Sequence, residues 1–68
     1  MAQAQALFPH PKILGSYRSF GAVGPAYQVL EPIRELEDGD WLVAVQVLES
    51  GERVSYRFTA VLDDPKVL

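Results

Sequence analysis

The chain of 68 residues is 49% hydrophobic and 22% charged, has no cysteine, and sets six Lys and Arg against nine Asp and Glu, for a net charge of −3. That composition excludes intrinsic disorder, which pairs low hydrophobicity with high net charge, and it excludes a disulfide framework or a cysteine zinc site. It leaves room for one small domain, at a size where folding buries only about 60% of the unfolded surface and a staple or partner is usually needed.

Residues 1–14 read as a flexible tail. Alternating Ala and Gln give a helical preference too short to persist alone, and Phe8-Pro9-His10-Pro11 stops any helix, because proline lacks an N–H and pushes its predecessor into an extended conformation. A sharper alternative is an extended arm laying Leu7, Phe8, Ile13 and Leu14 against the body or a neighbouring subunit. The start lacks the basic and apolar regions of a secretory signal. The longest apolar run, residues 41–45, is far short of the roughly 18 residues a membrane span requires. Together these features lead to the expectation of a cytoplasmic protein with no membrane partner. An isoelectric point near 4.8 disfavours general attraction to nucleic acid or anionic lipid.

From Gly15 onward the punctuation is that of an all-β domain occupying residues 15–68. Residues 16–20 form a short extended segment closed by Gly21-Ala22-Val23-Gly24-Pro25. Residues 26–36 form a second, with a bend expected at Glu31-Pro32, since proline cannot donate to a ladder. Asp38-Gly39 and Ser50-Gly51 then bracket a third run, residues 41–48, and a fourth follows from Glu52. A two-residue turn at Ser50-Gly51 sets Val47 against Val54, Val45 against Tyr56, Val43 against Phe58 and Trp41 against Ala60, all on one face. At Asp38-Gly39 a three-residue loop with a bulge is preferred, putting Ile33 opposite Val43 and Val29 opposite Val47 and sending Arg34 away from the core. A single helical turn is expected before Pro65.

The third strand has two apolar faces, Trp41, Val43, Val45 and Val47 on one and Leu42, Ala44 and Leu48 on the other. Such a sheet must be covered on both sides or curl. The fold expected is therefore a small antiparallel meander of three to four strands curling towards a Src-homology-3-like barrel.

No catalytic constellation emerges. His10 sits between two prolines with nothing to orient it, and no serine has a base nearby. The carboxylate pairs Asp38/Asp40 and Asp63/Asp64 lack the spacing of a calcium loop and are accounted for by turn and cap chemistry. Catalytic residues, metal ligands and cofactors are accordingly expected to be none. Charge patterning is more informative. Residues 31–40 hold Glu31, Glu35, Glu37, Asp38 and Asp40 against Arg34 alone, whereas Arg53 and Arg57 share one face of the last strand. Tyr17, Arg18 and Phe20 beside those arginines would make a single-stranded nucleic-acid surface, and Trp41, Tyr27, Tyr56 and Phe58 could line a peptide groove. The simpler reading makes the aromatics core and the acids a solvated edge.

The run Tyr17-Arg-Ser-Phe-Gly-Ala-Val-Gly-Pro-Ala-Tyr-Gln-Val29, with Gly39-Asp-Trp-Leu-Val43, Glu49-Ser-Gly-Glu52, Tyr56 and Leu62-Asp-Asp-Pro65, resembles a family of short bacterial proteins described only as a domain of unknown function. The resemblance covers all but the tail and the last few positions. It implies a small bacterial cytoplasmic protein and carries over no site residue.

The function expected from the residues is a non-enzymatic protein-interaction module, self-associating or docking on a protein partner. Its candidate surface comprises Leu42, Leu48, Glu35, Glu37, Arg53 and Arg57. Two further readings stay open. One is an acidic antitoxin- or inhibitor-like regulator of a neighbouring gene product. The other is a small barrel binding single-stranded nucleic acid, which the overall charge opposes.

Overall fold

The computed structural model describes residues 8–67. Its centre is one antiparallel meander in the order β1 (Tyr17–Ser19), β2 (Ala26–Glu35), β3 (Trp41–Val47) and β4 (Arg53–Arg57). A 3₁₀ turn, Pro11–Ile13, precedes the sheet, and a short helix α1 (Phe58–Asp63) follows β4 without a loop. The helix lies where one turn was expected before Pro65, and the four-stranded meander matches the sequence pattern. The sheet does not close into a barrel.

Both hairpin registers reward close comparison with the sequence. Beside the first turn the three-residue loop holds: Leu36 N–H donates to the Asp40 carbonyl at 2.7 Å, and Gly39 takes a φ of +89° that suits the position. Glu35 then pairs with Trp41 and Arg34 with Leu42. Two register shifts flank Pro32, so Val29 meets Val45 and Tyr27 meets Val47. The expected bend at Glu31-Pro32 is thus a pair of irregularities around the residue that cannot donate. They also reverse parity, so that Tyr27, Val29 and Pro32 are all buried.

At the second hairpin the turn is two residues longer than expected. Val47 N–H donates to the Glu52 carbonyl, leaving Leu48-Glu49-Ser50-Gly51 as the loop. Val45 therefore faces Val54 and Val43 faces Tyr56. A slip of two preserves the face of every residue, so the apolar pairing survives although the partners change. Phe58 and Ala60 do not pair with β3, because the chain turns into α1 at Phe58.

That turn explains why no barrel forms. α1 and the chain before β1 cover one face of the sheet, burying Phe8, Tyr27, Val29, Trp41, Val43, Val45, Phe58 and Val61, with Ile13, Leu14, Phe20 and Tyr56 packed around them. The opposite face is not the apolar surface suggested by the alternation of β3. Leu48 lies in the loop, and Leu42 is flanked across the ladder by Arg34 and Arg57. Gln28, Gln46 and Arg53 complete another row. A face this polar can remain in water.

The flexible-tail reading is corrected for residues 8–14. Phe8 is 4% exposed and meets the rings of Trp41 and Phe58 edge-on, with centroids 5.4 and 5.1 Å apart. Gly15 N–H and Val29 N–H bond across to Val29 and Ser16 carbonyls, fixing the arm to β2. A core this small gains about 1.5–3 kcal/mol from each large apolar side chain it buries, which outweighs the local preference for an extended leader. Leu7, and the rest of the expected tail, lie outside the described residues.

Candidate functional site

The six residues of the expected surface do not assemble into one patch. Leu42 is half-buried near the start of β3, whereas Leu48 is 49% exposed in the loop beyond its far end, about 20 Å along the strand direction. Arg53 donates to Glu31 at 2.7 Å, and Arg57 donates to Asp38 at 2.8 Å and to Asp40 at 3.3 Å. Three of the five acids in residues 31–40 thus meet the two arginines of β4. Glu35 and Glu37 are exposed, with no ion pair among the described residues.

The expected nucleic-acid and peptide surfaces are dispersed as well. Arg18 turns to the core face and is 8% exposed, while Phe20 packs on Tyr27 and Tyr56. Trp41, Tyr27 and Phe58 belong to the core.

Two polar nodes hold the fold together, and each uses one of the carboxylate pairs. Asp64, just past α1, accepts from the Tyr27 hydroxyl at 2.7 Å and the Tyr56 hydroxyl at 3.0 Å on Oδ2, and from Gly21 N–H at 3.1 Å on Oδ1. Burial alone would raise the Asp64 carboxyl, but these bonds and the Arg18 charge hold it below the usual carboxylate range. Burial, then the bond to Asp64, pushes the Tyr27 phenol well above its ordinary value, and Tyr56 is raised for the same reasons.

Asp40 forms the second node. Its Oδ1 accepts from Trp41 N–H at 2.8 Å and Thr59 N–H at 3.2 Å, and its Oδ2 from the Thr59 hydroxyl at 2.7 Å. The residue preceding α1, Arg57, gives no side-chain cap, so Asp40 supplies one from the other hairpin.

Between the N-terminal arm and α1 lies an open groove of about 490 Å³. Pro9, Pro11, Ile13, Phe58 and Leu62 form its apolar lining, and His10, Lys12, Ser16, Arg18 and Lys66 its polar lining. His10 stacks on Phe58 with centroids 5.0 Å apart. Arg18 Nη1 donates to the Val61 and Asp64 carbonyls at 3.1 and 3.0 Å, satisfying acceptors at the helix end. Its Nε is buried with no partner, alone in this among the described side chains. Sequence reading missed the groove because a three-residue strand shows no periodicity to orient Arg18, and Lys12 and Lys66 are 54 positions apart.

Among the described residues there is no group of three or more His, Asp or Glu placed to hold a metal ion, and no helix is long and apolar enough to cross a membrane.

The fold and its two polar nodes define a class: a small open β-meander capped on one face by a short helix and an N-terminal arm. Within that class the chain belongs to DUF5397, a family of unknown function, which it matches over residues 6–68. It is similar to an uncharacterized protein of the bacterium Haemophilus influenzae, at 42% identity over 52 residues, spanning 76% of this chain and 82% of that protein.

Proposed function

We propose that the protein is a non-enzymatic interaction module that self-associates through the free edge of β4. The observation that carries this reading is the unequal treatment of the two sheet edges. At β1, Ser19 N–H donates to the Pro65 carbonyl and Val67 N–H to the Tyr17 carbonyl, so residues 65–67 cover that edge. At β4 no further strand pairs among the described residues. The Val47–Glu52 hydrogen bond fixes the ladder phase, which directs the N–H and C=O groups of Arg53 and Ser55 and the N–H of Arg57 outward, while the Arg57 carbonyl accepts the first bond of α1. Beside them Val54, on the core side, is 38% exposed while its cross-strand partner Val45 is sealed.

Charged side chains usually blunt such an edge. Here Arg53 and Arg57 are drawn across the outer face to Glu31, Asp38 and Asp40. A second copy paired antiparallel along β4 would satisfy the edge groups of both chains and cover both Val54 side chains.

Sedimentation equilibrium across a concentration series tests the reading. The expected result is a reversible dimer that Ser55→Pro disrupts, because proline removes one outward N–H, with Val54→Lys as a second disruptive variant. A monomer at every concentration would refute self-association. Recovery of one stoichiometric protein partner, lost with the same variants, would transfer the edge to docking on that partner.

A further inference from the structure

We infer that the groove between the N-terminal arm and α1 is a binding site for a small organic anion, an oxyanion carried on an apolar body. Three of the six Lys and Arg residues of this net-acidic chain, Lys12, Arg18 and Lys66, line it, and among the described residues no carboxylate does. Among the described residues none of the three is in an ion pair. The other three cations lie on the outer face, where Arg53 and Arg57 have acidic partners.

Arg18 is the central observation. An arginine buried to 8% exposure normally faces a carboxylate. This one bonds only to carbonyls and leaves Nε unpartnered. The nearest candidate counter-charge, Asp64, directs its carboxylate oxygens to Tyr27, Tyr56 and Gly21 instead. Arg18 helps keep the Asp64 carboxylate ionised without bonding to its oxygens, so its charge also bears on whatever enters the groove. Its backbone bridge to Lys66 and the fixed arm bearing Lys12 hold two further ammonium groups around the same opening.

Size and lining specify the rest of the ligand. A volume near 490 Å³ suits a small molecule rather than a bare ion, and an apolar lining with a few convergent polar groups is the usual composition of such sites. His10, stacked on the buried Phe58, and the exposed Leu62 offer the surface against which an aryl or alkyl body would pack. Lys12 and Lys66, both exposed, would contact the oxyanion, with Arg18 supplying the fixed charge behind them. Phosphate esters and carboxylates share this chemistry.

The test is amide chemical-shift titration of the full chain at low salt with phenyl phosphate, benzoate, benzyl alcohol and inorganic phosphate. Saturating shifts at Lys12, Ser16, Leu62 and Lys66 are expected with at least one aryl anion, and the stronger of the two identifies the oxyanion preferred. The neutral alcohol and inorganic phosphate should each bind at least about tenfold more weakly, since one lacks the charge and the other the apolar body. Lys12→Gln with Lys66→Gln, two exposed substitutions, should weaken the anion about tenfold, and added salt should do so in the wild-type chain. Absence of saturating shifts with both aryl anions would overturn the inference. So would equal binding of benzyl alcohol, equal binding of inorganic phosphate, or affinity indifferent to both the double substitution and salt.

Discussion

The hydroxyl of Tyr27, sealed within β2, donates at 2.7 Å to Oδ2 of Asp64, the residue that follows α1. One bond thus joins the centre of the sheet to the end of the helix, 37 positions along the chain, and Tyr56 brings β4 to the same oxygen. A hydrogen bond to a charged acceptor contributes about 1.5–3 kcal/mol, so Tyr27→Phe should lower unfolding free energy in urea by about that amount. Tyr56→Phe, at a half-exposed position, should have a smaller effect.

The same node makes stability depend on pH at both ends. The Asp64 carboxyl is held low in the folded state, so its contribution is present above about pH 4, the unfolded value, and is lost as pH falls through the folded one. Tyr27 and Tyr56 are raised, so their contribution is complete below about pH 10 and declines as pH rises beyond it. Melting temperatures across this range should fall at both extremes. Asp64→Asn should flatten the acid limb and Tyr27→Phe the alkaline one.

Asp40 and Asp38 should differ sharply despite their proximity. Asp40→Ala removes the acceptor shared by Trp41 N–H, Thr59 N–H and the Thr59 hydroxyl, and should cost about 1–2 kcal/mol, as the loss of a helix cap does. Asp38→Ala removes an exposed partner of Arg57 and the acceptor of Asp40 N–H in the turn, and should lower the urea midpoint by less than Asp40→Ala does.

Phe8→Ala separates a packed arm from a loose leader. Burial between Trp41 and Phe58 predicts a loss of about 3 kcal/mol, read by thermal or urea unfolding, where a loose leader would give none.

Gly24→Ala should be the most damaging small substitution in the β1–β2 loop. A Cβ there would stand 2.0 Å from the Phe20 carbonyl oxygen, so the loop must open and disturb the packing of Phe20 on Tyr27. Val23→Ala, beside it and 99% exposed, should be neutral by the same thermal melt.

The strand pattern was legible because turn chemistry and alternation are local. Asp38-Gly39 places its loop correctly, and Val43 and Val45 keep their face even where the pairing at Ser50-Gly51 slips by two. Residues 8–14 follow the extended-arm alternative rather than the flexible tail, because the burial of Phe8 depends on Trp41 and Phe58, which lie far along the chain. Asp38 was correctly assigned to turn chemistry, its Oδ1 accepting from Asp40 N–H, but the Asp64 carboxylate binds Tyr56, Tyr27 and Gly21, which lie 8, 37 and 43 positions away rather than in a local turn.

Of the candidate surface, the sequence identified charged residues of both signs without their pairing. Which charges are neutralised depends on strand neighbours: Glu31 reaches Arg53 on the outer face, and Asp38 and Asp40 reach Arg57 where the turn folds beside β4. By itself the sequence determined the class and bounded the strands at three to four, and it placed Trp41, Val43 and Val45 on one shared face of β3. It did so because proline, glycine and period-two alternation act within a few residues. Only the tertiary structure decided that the sheet stays open, that residues 8–14 complete its core, and that Lys12, Arg18 and Lys66 converge on one groove. These outcomes rest on which distant segments can bury apolar area together, and local chain stereochemistry carries no record of that.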